Sequence, residues 1–142
     1  MSRLRLTIQY DTGFSADLWG WRLEVTSADS GRVEIVWQTS NFEHQAKREQ
    51  RIRARSLPGW CANALEILAA IDFQALPPST DWGIGMDDVG TLAVARNLDG
   101  VRSEFSIFYA PAFWPMVSIS TRHALAELVS LLDPLARKVD QA

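Results

Sequence analysis

The sequence predicts a single α+β domain spanning residues 1–142: a mainly antiparallel sheet of about six to seven strands with two helices packed on it, in the order strands, helix, strands, helix. Three observations carry this expectation. Apolar side chains recur at every second position through the first 37 residues and again near the middle of the chain. Two stretches instead space them three and four apart, and clusters of Gly, Asp, Asn and Pro separate the runs. At 47% hydrophobic residues the chain can build a core without staples, and a chain of its length buries roughly 70% of the surface its unfolded form exposes.

Leu4, Leu6, Ile8 and Tyr10 alternate as a strand with one buried face. Asp11-Thr12-Gly13 supplies turn chemistry, after which Trp19, Trp21, Leu23 and Val25 repeat the alternation. Asp29-Ser30-Gly31 makes another turn ahead of Val33, Ile35 and Trp37, so the first third reads as an antiparallel meander with its large side chains on one face. The polar stretch from Thr39 to Gln50 reads as the arms of a hairpin leading into a strand at Arg51 to Arg55. In that strand Ile52 and Ala54 face inward and Arg51, Arg53 and Arg55 face water.

Ser56-Leu57-Pro58 resembles a helix entry with Pro in the first turn. Cys61, Ala64, Leu65, Leu68 and Ile71 then form an inner stripe, and Pro77-Pro78 forbids continuation, so the helix should end near Asp72 to Gln74. Three further strands are expected, around Trp82–Met86, around Leu92 and Val94, and from Val101 to Tyr109, the last two joined by a turn at Asn97-Leu98-Asp99-Gly100. Phe108 opposes Phe105, Ile107 and Tyr109 on the last of these, which predicts a strand that is central or covered on both sides. Ser120 or Thr121 can cap a closing helix with Ala124, Leu125, Leu128, Leu132 and Leu135 inside, and Pro134 should kink or restart it. The two strand-then-helix halves are compatible with duplication, although an ordinary sheet carrying two helices on one face explains the pattern as well.

Composition narrows the function classes. The net charge of −3 gives no overall footprint for nucleic acid or anionic membrane, and no run approaches the roughly 20 apolar residues a spanning helix needs. The alternating start lacks the continuous apolar core of a signal peptide, and a single cysteine cannot form an internal disulfide, which together point to a reducing, cytoplasmic setting. With His44 and His123 far apart and Cys61 alone, no metal or other cofactor is expected. Cys61, just inside a helix N-terminus, is the one candidate nucleophile, but its place on the apolar stripe favours an inert buried thiol. Gly83-Ile84-Gly85-Met86-Asp87-Asp88-Val89-Gly90 has neither the Lys-Ser/Thr of a phosphate loop nor the spaced oxygens and closing Glu of a calcium loop, and reads as a turn.

The remaining candidates are surface features. Lys47, Arg48, Arg51, Arg53 and Arg55 oppose only Glu49 within nine residues, and in strand geometry the last three arginines form a stripe suited to carboxylates or phosphates. Asp87 and Asp88, with Asp81 and Asp99, can form an acidic patch at one end of the sheet. Trp114, between Phe113 and Pro115, is either packed over a sheet end or exposed as an interface anchor.

Asn97-Leu98-Asp99-Gly100, the strand Val101 to Tyr109, the Pro-aromatic loop after it and the leucine-rich helix Ala124 to Ala136 together resemble small bacterial immunity-type α+β proteins, over about 45 residues. The resemblance implies a cytoplasmic protein that neutralises a cognate toxin by surface complementarity, with no cofactor and no catalysis; that class has no shared site motif, so it assigns no residue. The leading expectation is therefore a non-catalytic protein-binding module, an immunity or inhibitor protein, with a protein partner, no membrane role and nucleic acid disfavoured. The alternatives are a small-molecule-binding or enzymatic domain with a pocket between sheet and helices, and a structural subunit of a homo-oligomer.

Overall fold

The computed structural model describes residues 3–11, 18–28, 30–41, 48–76, 90–109 and 117–141. They form strands β1 (Leu4–Asp11), β2 (Leu18–Ser27), β3 (Val33–Asn41) and β4 (Arg48–Ala54), helix α1 (Gly59–Ala69), strands β5 (Gly90–Leu98) and β6 (Val101–Tyr109), and helix α2 (Ile119–Gln141). The six strands make one antiparallel sheet in the order β4-β3-β2-β1-β5-β6. The α+β class and the order strands, helix, strands, helix are as the sequence predicts, with six strands among the described residues. The further strand expected around Trp82–Met86 lies outside them.

The pleat sends alternate residues to opposite faces, and the register lines those residues up across strands. Leu6, Val25, Ile35 and Ile52 fall in one row, and Ile8, Leu23, Trp37, Val94 and Phe105 in the next. Both helices cover this inner face. α2 packs against β2, β3, β4 and α1. Its Leu125, Leu128 and Leu132 are fully buried, as are Cys61 and Leu68 of α1. An aromatic row crosses the sheet beneath α2, with ring centroids 5.2 Å apart for Tyr109–Tyr10, 5.7 Å for Tyr10–Trp21, 5.6 Å for Trp21–Trp37 and 5.7 Å for Trp37–Trp60. Trp21 and Trp37 are core residues as expected; the Trp19 side chain is outside the described set.

Polar anchors fix α2 over this row. Trp21 Nε1 donates to Asp133 Oδ1 at 3.0 Å and Thr39 Oγ1 donates to Asp140 Oδ1 at 3.0 Å, while within α2 Arg137 Nε donates to Asp133 Oδ2 at 2.9 Å and holds that carboxylate in place. Each satisfies a polar group at a largely apolar interface, where an unpaired one would be costly.

Several local expectations are corrected. β6 is the last strand of the described sheet rather than a central one. Its two-sided apolar pattern arises because Phe108, paired opposite Thr91, lies half-buried on the outer face while Phe105 and Ile107 enter the core. Pro58 occupies the N-cap of α1 rather than its first turn, with Cys61 and Ala62 N–H donating to its carbonyl at 3.0 Å. α1 stops at Ala69, and the chain reaches the expected end only as a separate 3-10 turn at Phe73–Ala75, capped by the Asp72 carboxylate accepting from Gln74 N–H at 3.1 Å. The N-cap of α2 lies two residues before the earlier of its two expected caps. Ser118 Oγ accepts from Thr121 N–H at 3.2 Å, the N-cap to N3 geometry. Pro134 is retained inside α2, on its exposed side, where the Ser130 carbonyl it leaves unpaired can turn to water.

The hairpin between β5 and β6 matches its sequence signal. Asp99 and Gly100 have φ of 52° and 85°, the pair of positive values a two-residue I′ turn requires, and Gly100 N–H donates to the Asn97 side chain at 3.0 Å.

Candidate functional site

Neither helix packs on the outer face of the sheet, and its residues are those the alternation leaves over: Arg5, Thr7 and Gln9 on β1, Arg22, Glu24 and Thr26 on β2, Glu34, Val36 and Gln38 on β3, and Glu49, Arg51 and Arg53 on β4. Register decides which charges meet. Arg53 is paired opposite Glu34, and Arg51 is one step along opposite Val36. Arg51 donates to Glu34 at 2.9 Å and reaches Glu49 at 3.5 Å, while Arg53 Nε approaches the other Glu34 oxygen at 3.3 Å. Glu34 is thus shared between two guanidiniums. Val36, although on the outer face, is buried, since its cross-strand neighbours Glu24 and Arg51 are long side chains able to lie over it.

The expected stripe is therefore modified. Arg51 and Arg53 share the outer face but are engaged by glutamates, and Arg55 lies just beyond the end of β4. Arg53 and Arg55 instead line a cavity of about 510 Å³ at the corner where β2, β3 and β4 end, together with Thr26, Ala28, Arg32 and Glu34. The short β2–β3 connection brings Arg32 there. Ala28 N–H donates to the Arg32 carbonyl and Gly31 N–H to the Ala28 carbonyl, both at 2.9 Å, with Gly31 at φ 84°. Arg32 was not singled out in the sequence, where it stands as an isolated cation after a turn glycine; only the hairpin register brings it to the cavity that Arg55 also lines.

The other candidates fare differently. Asp87, Asp88 and Trp114 lie outside the described residues, as do Asp81, Phe113 and His44. Asp99, meant for the same acidic patch, is at the far end of β5 from Gly90 and accepts from Arg3 N–H at 2.8 Å, so it serves the hairpin. His123 is exposed on α2. Cys61 is wholly buried, and burial pushes its thiol up to about 11, which opposes the dipole effect of the helix N-terminus and disfavours the thiolate a nucleophile needs. Burial likewise pushes Tyr10 up to about 12, helped by Tyr109 and Asp133 and opposed by Arg137. It also raises Tyr109, with Asp133 adding to the effect.

An opening of about 250 Å³ between sheet and helix is lined by Trp37, Gln50, Ile52, Trp60 and Lys138, and holds neither Cys61 nor an acidic side chain. Among the described residues no group of three or more His, Cys, Asp or Glu is placed to hold a metal ion, and no helix is long and apolar enough to cross a membrane. The chain matches no family model and no curated protein.

Proposed function

We propose that this chain is a non-catalytic, cytoplasmic protein-binding module of the immunity or inhibitor type, and that its partner docks on the outer sheet face at the β3–β4 side. One observation carries the reading: both helices lie on the inner face, and the outer face, which no described helix covers, gathers cations at one corner of a chain whose net charge is −3. A protein with an acidic surface is the complementary partner, because such complementarity steers encounter and fixes register. The low reactivity expected of Cys61 supports the non-catalytic part of the reading.

Affinity capture from native lysate tests it, with wild type compared against a variant carrying Arg51→Glu, Arg53→Glu and Arg55→Glu. The expected result is one protein held in stoichiometric amount by the wild type and lost from a variant that still melts cooperatively. The captured protein should also be inhibited by the wild-type chain when the two are mixed. Equal capture by both chains, or none by either, rejects the reading.

A further inference from the structure

We infer that the corner cavity lined by Arg32, Arg53 and Arg55 is an oxyanion-binding site that takes the carboxylates of an acidic peptide segment. This deepens the proposed docking face and rests on it. Several arginines of the outer face are matched by glutamates. Arg22 meets Glu24 at 2.9 Å, Arg102 meets Glu104 at 2.9 Å, and Arg51 meets Glu34 at 2.9 Å. Among the described residues Arg32 and Arg55 make no ion pair, and the one carboxylate of that set that lines their cavity, Glu34, is already divided between Arg51 and Arg53.

The register makes this arrangement unfavourable for folding alone. Val33 is paired with Ala54, and Arg32 and Arg55, the next residue out from each strand, both line the one cavity. Like charges opposite one another across strands repel. Among the described residues, three guanidiniums around one shared carboxylate make the corner net positive, and the planar fork of each can grip a carboxylate through two N–H groups. The cavity, about 510 Å³, is of the size that receives a few side chains or a small ligand. Thr26 contributes a hydroxyl to its wall, and Arg5, paired opposite Thr26 on β1, extends the positive row along the direction a peptide would lie.

The probe is a fluorescent peptide of consecutive glutamates, titrated by anisotropy at low ionic strength against wild type, Arg32→Gln/Arg55→Gln and the control Arg102→Gln. The wild type should bind, the double variant should bind at least about tenfold more weakly, and the control should match the wild type. Added salt should weaken the wild-type complex. The melting temperature of the double variant should be unchanged or slightly raised, since a repulsion is removed, which shows that lost binding is not lost folding. Equal binding by wild type and double variant, or no binding by wild type, would each overturn the proposal, and full displacement of the peptide by inorganic phosphate at a concentration equal to that of the peptide's carboxylates would overturn its assignment to carboxylates. The two readings fail separately. If peptide binding depends on Arg32 and Arg55 but lysate capture survives the triple charge reversal, the docking face is wrong and the oxyanion site stands. If capture is lost by the triple variant while the peptide ignores Arg32→Gln/Arg55→Gln, the face stands and the site falls.

Discussion

The face of the sheet turned toward the helices and the face turned away from them are made by the same strands, residue by alternate residue, yet they are held by different physics. On the inner face Leu6, Ile8, Leu23, Ile35 and Leu92 are fully buried and touch α1 or α2 or one another in a single apolar cluster. On the outer face the contacts are exposed ion pairs such as Arg22–Glu24 and Arg51–Glu34, with the Arg51 side chain 51% accessible. Apolar burial contributes a few kcal/mol for each large side chain, whereas an exposed pair contributes about 0–1 kcal/mol. Stability therefore resides on one face, and the other is free to be shaped for a partner.

Substitutions should separate the two faces. The largest expected loss is on the inner face: Leu23→Ala removes a fully buried side chain and should cost about 2–5 kcal/mol in urea unfolding. A loss under about 1 kcal/mol there would mean the core is looser than its burial implies. Asp133→Ala strips the acceptor from both Trp21 Nε1 and Arg137 Nε and should cost about 1–3 kcal/mol, with a change in tryptophan fluorescence reporting the released indole. Ser118→Ala removes the α2 cap and should cost about 0.5–2 kcal/mol, read in the same unfolding experiment. On the outer face Glu34→Gln, which releases both Arg51 and Arg53, should change stability by less than about 1 kcal/mol while leaving the corner more positive and the glutamate peptide more tightly held. Were Glu34→Gln as costly as Leu23→Ala, the contrast between the faces would collapse.

The pH dependence gives a further check on the inner face. Cys61 holds its proton more tightly when folded, up to about 11 against an ordinary value of 9.0. Between those values the unfolded chain loses the proton first, so stability falls as pH rises through that window and this thiol contributes no pH dependence below it. Tyr10 extends the decline, from 10.0 toward about 12. Urea midpoints measured across this alkaline range should drop for the wild type and drop less for Cys61→Ala.

The same contrast explains what could be read from the sequence. Inner-face elements announce themselves through local periodicity. Leu4 to Tyr10, Val33 to Trp37 and the stripe through Cys61, Ala64 and Leu68 are each visible without knowledge of any neighbour, and the Asp99-Gly100 turn is specified by two adjacent residues. Strand order is not local. An apolar Phe108 suits either a central strand or one covered on both sides, and only the pairing with β5 alone reveals an edge among the described strands. The helix cap was misplaced because Ser118, Ser120 and Thr121 all carry hydroxyls within four residues, and position relative to the first turn chooses among them. The arginine stripe was half legible. Its alternation through Arg51 and Arg53 was visible, but Glu34 is 17 residues from Arg51 in sequence, and no spacing rule announces that pairing. For the same reason Arg32 carries no local signal, and only the β2–β3 connection brings it to the cavity that Arg55 also lines.

The central claim is that the sheet face away from the two helices is the docking face, and hydrogen–deuterium exchange of the chain with and without its captured partner tests it most directly. Slower exchange should be confined to the backbone amides of β4 and the β2–β3 connection, with α1 and α2 unchanged. Protection on the helices instead, with β4 exchanging as in the free chain, would place the partner on the opposite side and contradict the account.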